Sequence, residues 1–295
     1  MNVFRGVGTK RVASTGSFTN HGGPVVRNPV VKLLFWGAKW QANDMTRLTQ
    51  FFQDLVASSM MNLLAQYGVG QGSVNPTPLV DQTVAGTLAD VDIQFLVQAY
   101  YRKGMLPEPD GNQVLMILLD ETIGVNDPAQ GLVLCEPSGD TAFGYHNFFR
   151  TAAGNPAYYA IIPALTDLCV TESCQGSSGC TLKLSDTQEQ RRTEVATHEF
   201  AEMVTDPQLN AWIDASGNEI GDVCGGINGT ITVNGRSWKV QQEWDNAAGV
   251  CALGVSAPPP PPVPGGPPPP NRTGNADVTL LNLLAYAFAR LIGKA

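Results

Sequence analysis

Apolar side chains recur along this chain with two periods, and each change of period marks a predicted element. Residues 30–37 form a short β-branched and aromatic run, Val30-Val31-Lys32-Leu33-Leu34-Phe35-Trp36, ended by Gly37, which reads as a buried strand. Residues 46–67 then carry Leu48, Phe51, Phe52, Leu55, Met60, Leu63 and Leu64 at three- and four-residue steps, predicting a helix that closes at Gly68. A second helix is predicted over 90–102, with Val91, Phe95, Leu96 and Tyr100 on one face. Residues 113–120 and 158–163 are two further strands of the buried type. Residues 164–183 combine three cysteines with small polar residues and read as a cross-linked loop. Ser185 and Gln188 stand in capping-box register for a helix that runs to Pro207, which cannot continue it. Residues 230–233 and 237–244 then read as a hairpin around Asn234-Gly235, a type I′ turn signal. Helices interleaved with buried strands define an α/β (α+β) chain with a mixed sheet.

The pattern changes near the end. Residues 258–270 are almost wholly proline and glycine, a polyproline II spacer with nothing to pack. Residues 276–295 follow as one helix that is apolar over most of its circumference. The expected division is an N-terminal extension over 1–20, a main domain over 21–255, a proline-rich linker over 256–275 and an isolated C-terminal helix over 276–295. That helix either folds back onto the main domain or docks on a partner or carrier. Membrane contact is the less favoured reading, because Asp277 and Arg290 interrupt a stretch already short for a span.

Composition removes some function classes. A net charge of −8 with no Lys/Arg cluster argues against nucleic acid as a partner. Only 15% of residues are charged, so the exposed surface is expected to be rich in Gly, Ser, Thr, Asn and Gln. The six cysteines, at 135, 169, 174, 180, 224 and 251, form no CxxC pair, and as an even set they allow three disulfides through any of fifteen pairings. Oxidised cysteines favour an export compartment, although residues 1–20 contain no continuous apolar stretch of the kind a signal peptide needs. No GxSxG elbow and no GK[ST] loop occurs, which disfavours serine-nucleophile and phosphate-loop chemistry.

The stretch richest in chemistry is Thr197-His198-Glu199-Phe200-Ala201-Glu202. Residues four apart on a helix lie one turn above each other, so His198 and Glu202 can hold one cation between imidazole and carboxylate. Glu199 is rotated about a quarter turn away and sits like the glutamate of HExxH, where the carboxylate takes a proton from metal-bound water. A carboxylate in place of the second histidine leaves more negative charge on the metal, so bound water is less acidified than in a His-rich site. Asp222 and Glu219 follow His198 by 24 and 21 positions, near the spacing at which gluzincins supply an acidic third ligand. Asp222 is the favoured third ligand, with Glu219 and His146, in Gly144-Tyr145-His146, as alternatives. His21, in His21-Gly22-Gly23-Pro24, reads as a turn residue.

Taken in order, His21-Gly22-Gly23-Pro24, the strand over 30–37 with Trp40, Gly144-Tyr145-His146, the HExxE helix running on to Thr205-Asp206-Pro207, then Asn210-Ala211-Trp212, Glu219-Ile220-Gly221-Asp222-Val223-Cys224 and Cys251 resemble the phosphate-induced or EXORDIUM-like proteins. The resemblance covers roughly residues 20–254. It implies an extracellular protein with a zincin-like mixed sheet and a metal-site helix, and a Cys224–Cys251 disulfide that staples the Asp222 segment. It also implies a role for Asp206 either as an acceptor behind the ligands or as the residue that ends the helix. A single Cys135 stands before His146 where the plant pattern has a cysteine pair, and the proline linker and terminal helix are foreign to that pattern. The expected activity is that of a zinc-dependent metallopeptidase, with Glu199 as general base and a protein or peptide substrate lying along an edge strand near 113–120. The alternative is a non-catalytic extracellular binding or signalling protein whose acidic cluster is structural, holding a hard cation such as calcium, or no metal at all.

Overall fold

The computed structural model describes residues 3–4, 17–135, 142–174 and 180–254. The predicted proline-rich linker and C-terminal helix lie outside the described residues. Seven strands build the central sheet: β1 (Val3–Phe4), β2 (Val30–Trp36), β3 (Ser73–Val74), β4 (Leu79–Asp81), β5 (Gln113–Leu119), β6 (Gly144–Arg150) and β7 (Pro156–Ile162). Their order is β1-β6-β7-β5-β2-β3, with β4 also pairing along β2. The sheet is mixed. From β7 through β5 and β2 to β3 and β4 every pairing is parallel, whereas β6 runs antiparallel to β7 and β1 antiparallel to β6.

Alternation along the strands decides which side chains meet which layer. Val31, Leu33 and Phe35 of β2, Val114, Met116 and Leu118 of β5, and Tyr158, Ala160 and Ile162 of β7 join one core. That core is closed by α1 (Ala42–Val56), α2 (Met60–Leu64) and a long later helix. The opposite set, including Leu34, Trp36, Leu115, Ile117, Leu119, Tyr159 and Ile161, packs under α3 (Asp90–Arg102). All seven residues of β5 are buried, because it lies between β2 and β7 and is covered on both faces. The expectation that 113–120 is an edge strand for a substrate is therefore incorrect. Continuous apolar character is the mark of a central parallel strand.

Other boundaries also moved. The helix predicted over 46–67 is two helices, because Ser58 Oγ donates to the Leu55 carbonyl and accepts from Met60 N, competing with the helical ladder. On α3 the buried residues include Ile93, Val97, Tyr100 and Tyr101, while Val91 and Phe95 face solvent, so the predicted face was rotated. Within 164–183 lies a helix rather than only loop, α4 (Asp167–Cys174), whose Cys169 N bonds to Thr166 Oγ1. The last helix, α5 (Gln188–Thr205), takes its capping box from Thr187 and Gln190, two residues later than the Ser185–Gln188 register. A turn in which Asp186 N donates to the Lys183 carbonyl occupies the earlier register.

After α5, β8 (Asn228–Val233) and β9 (Arg236–Gln241) form the expected hairpin, with Asn234 and Gly235 at φ 52° and 74°, as a type I′ turn requires. Two short strands, β10 (Glu243–Asp245) and β11 (Val250–Ala252), follow it as a second antiparallel pair. Helix α5 packs against β6 and β7 on one side and β9 on the other, so every residue from Arg191 to Thr205 is buried. Three disulfides join Cys135–Cys169, Cys174–Cys180 and Cys224–Cys251, leaving no free cysteine. Among the described residues no helix is long and apolar enough to cross a membrane.

Candidate metal centre

Helix α5 exposes none of its HExxE face to solvent: His198, Glu199 and Glu202 are at most 1% exposed. The i, i+4 spacing sets His198 Nε2 3.1 Å from Glu202 Oε2. From the sheet, β6 contributes His146, whose position in the strand points it toward α5 while Tyr145 and Asn147 reach the opposite face and bond to Asp90. His146 Nδ1 lies 3.8 Å from Glu202 Oε2 and 3.4 Å from Glu199 Oε2, and its Nε2 lies 3.5 Å from Glu219 Oε1. The third contributor is the segment after α5. There Asp222 N donates to Glu202 Oε1 at 3.1 Å, and Asp222 Oδ2 accepts from Glu219 N at 3.0 Å.

Two trios of ligand-type atoms lie within 4.8 Å of one another, His198–Glu202–Asp222 and His146–Glu202–Glu219. Neighbouring ligands of a tetrahedral zinc are separated by about 3.4 Å, given metal–ligand bonds near 2.1 Å. The His198 Nε2–Glu202 Oε2 distance of 3.1 Å in the first trio and the His146 Nε2–Glu219 Oε1 distance of 3.5 Å in the second are close to that spacing. The residue types fit zinc as well, since imidazole nitrogen and carboxylate oxygen are its ordinary donors. Every ligand candidate read from the sequence is thus brought together, including both alternatives to Asp222. Glu199 stands outside both trios, with its carboxylate between β6 and α5.

Close approach of backbone makes this possible at two glycines. A Cβ on Gly221 would stand 2.6 Å from His198 Nδ1 and 2.9 Å from Glu202 Oε1, and one on Gly144 would stand 2.9 Å from Glu199 Oε1. Gln241, on β9, places its Nε2 2.8 Å from His198 Nδ1 and donates to the Gly221 carbonyl at 3.0 Å, which turns His198 Nε2 inward to Glu202. The Cys224–Cys251 bridge ties the Asp222 turn to β11. Asp206 ends α5: its Oδ1 accepts from Asn210 N and Ala211 N, at 2.6 and 2.7 Å. His21 belongs to a turn whose backbone N donates to the Ala211 carbonyl, and it does not enter the centre.

Sequence reasoning missed Gln241 and Glu243. Glu243 is fully buried, and neither of its oxygens meets a hydrogen-bond donor in bonding geometry. The signal was a two-residue alternation, Gln241, Glu243 and Asp245, all buried, in a stretch that reads as a polar hairpin arm.

Electrostatics follow from burial. Desolvation drives His146 down to about 3, with His198 pushing the same way, and takes His198 down to about 4 against the opposing pull of Asp222. Both rings are neutral, the form that binds metal. Burial raises Glu202 well above the ordinary carboxyl range, with Asp222 adding to it, and does the same to Glu243, with Glu202 adding to it and the Gln241 amide tempering it. Asp222 is raised by burial and partly brought back by His198.

A separate cavity of about 170 Å³ opens at the C-terminal ends of β5 and β7, lined in part by Ile123, Pro163 and the Cys135–Cys169 bridge, and the centre's residues do not line it. Comparison with known proteins finds no matching family model, no matching curated protein and no matching solved structure.

Proposed function

We propose that the chain is an EXORDIUM-like, zincin-like extracellular hydrolase that cleaves protein or peptide substrates with a zinc-activated water. The observation that carries this reading is the convergence of His198, Glu202 and Asp222, from a helix and a later turn, with ligand atoms within 4.8 Å of one another. His198, Glu202 and Asp222 would hold the zinc, which when bound would supply an acidified water and a Lewis acid for a peptide carbonyl. Glu199 would serve as the general base and then as the proton donor to the leaving amine, and His146, 3.4 Å away, would orient the Glu199 carboxylate. An extended substrate aligns with β6 beyond Gly144 and Tyr145, the two residues β1 pairs, rather than with β5, which is paired along its length on both sides. The disulfides support an oxidising, extracellular setting.

The test is a pair of measurements on the purified chain. Zinc should survive dialysis, and Glu199→Gln should abolish cleavage of a casein-like substrate while zinc stays bound; cleavage retained by the variant removes Glu199 from its role. One observation favours a second reading, a non-catalytic binding or signalling protein with a structural metal: His146, His198, Glu199 and Glu202 are all nearly inaccessible, and structural metal sites are closed where catalytic ones keep an open position. Bound zinc without hydrolysis of any peptide library would decide for it. Calcium fits less well, because each trio contains an imidazole.

A further inference from the structure

We propose that the centre takes two divalent cations bridged by Glu202, one held with His198 and Asp222 and the other with His146 and Glu219, and that Glu243 supplies further oxygens to the pair. This rests on the metal-dependent reading of the same site and extends it from one ion to two. Among the described residues the two trios share Glu202 and nothing else. Glu202 Oε2 is where the two sets meet, 3.1 Å from His198 Nε2 and 3.8 Å from His146 Nδ1, while Oε1 accepts from Asp222 N at 3.1 Å. A carboxylate placed between two donor sets is the usual bridge where paired ions lie about 3.5–4 Å apart.

A single tetrahedral ion takes about four ligands. Here a lone ion at His198, Glu202 and Asp222 would leave the His146–Glu219 contact, 3.5 Å between Nε2 and Oε1, without the cation its spacing suits. Glu243 is the independent observation. It is wholly buried on β10, which the Trp244 N to Ile220 carbonyl bond, 3.1 Å, draws against the Glu219–Asp222 segment, and Glu202, Asp222 and Glu199 act on it as like charges that the Gln241 amide tempers only in part. A buried carboxylate among like charges is costly unless a cation lies among them. His146 Nε2 is likewise buried and outside any hydrogen bond, facing Glu219. One imidazole and two carboxylates per ion is a donor set for zinc or manganese rather than for calcium or magnesium.

The full chain with its disulfides intact is loaded with zinc or manganese, desalted, and counted by elemental analysis and native mass spectrometry. The expected result is two ions per chain, reduced to one by Glu219→Gln or by Asp222→Asn, and to none by Glu202→Gln. Manganese-loaded protein should give the magnetic resonance spectrum of a coupled pair in place of the isolated-ion pattern. Saturation of the wild-type chain at one ion overturns the bridged pair and leaves the single-zinc reading standing. No bound ion overturns both. Two ions without magnetic coupling, or two ions persisting in both single variants, also overturn the bridge. The wild-type count needs no substitution, so a variant that fails to fold does not spoil the test.

Discussion

Two buried acidic sites lie on the α1 and α5 side of the sheet, and they are built in opposite ways. Asp54, at the end of α1, is fully buried yet saturated: Arg236 Nε and Nη2 donate to it at 2.7 and 2.8 Å, Trp238 Nε1 at 2.8 Å and Asn234 Nδ2 at 2.9 Å. Burial would raise its pKa, but those donors outweigh burial and hold it below the ordinary carboxyl value. Glu243 is equally buried, and its surroundings push it well above that value. A carboxylate surrounded by donors closes a structure, here α1 to the β8–β9 hairpin. One buried among like charges, with only the Gln241 amide to temper it, is costly to keep ionised. Burial of acids alone therefore does not single out a functional site; the identity of what faces them does.

The largest expected contrast is in stability. Asp54→Ala should cost about 3 kcal/mol or more in denaturant unfolding, since it strands the Trp238 N–H and breaks a charge-assisted knot. Glu243→Gln in chelator-treated protein should leave stability unchanged or raised. Equal losses from the two would erase the distinction drawn between them.

Next comes the response to metal and pH. Zinc at a hundred times its dissociation constant should add about 2.7 kcal/mol to the wild type. In the metal-free protein His146 and His198, ordinarily near 6.5 but lowered to about 3 and about 4, contribute stability that is complete above about pH 6.5 and lost as pH falls through 4 and then 3. The raised Glu202, Asp222 and Glu243 act in the reverse sense: their contribution is present at low pH and lost as pH rises through their elevated values. Chelated protein should thus be most stable on the acid side of neutrality, and zinc, which needs deprotonated ligands, should move that optimum upward. A thermal-melt series with and without chelator that shows the same optimum would contradict this.

A smaller effect is expected from Gly221→Ala, whose new methyl presses on His198 Nδ1 and Glu202 Oε1. Zinc affinity should fall roughly 10–100-fold in a chelator competition, as for other losses of ligand support. Gly235→Ala, at φ 74° in the hairpin turn and in open space, should cost only about 1 kcal/mol and leave zinc affinity alone. A drop in affinity there would couple two sites argued to be independent.

The helix and its candidate ligands were legible because their signals are local. The stretch up to Pro207 carries period and HExxE spacing together, although its cap lies two residues later than the register read for it, and the Asn234-Gly235 turn needs only two residues to declare itself. Asp222 and Glu219 were found by distance from His198 along the chain, and Gly144-Tyr145-His146 was noticed without its strand β6 being recognised. What was hidden depends on pairing. That 113–120 is central and not an edge follows from β2 and β7 flanking it, which no residue within it announces. Glu243 enters the centre only because Trp244 N bonds to the Ile220 carbonyl, drawing β10 against the Glu219–Asp222 segment.

Asn234 joins two kinds of chemistry in one residue. An asparagine followed by glycine is the sequence most prone to lose its side-chain amide with age, and this amide is a donor to Asp54 at 2.9 Å. Deamidation would exchange that donor for a second negative charge at the same distance, turning attraction into repulsion within the knot that ties the hairpin to α1. Old protein should then loosen first at the hairpin whose other arm carries Gln241, so storage history would be written into how firmly His198 is held.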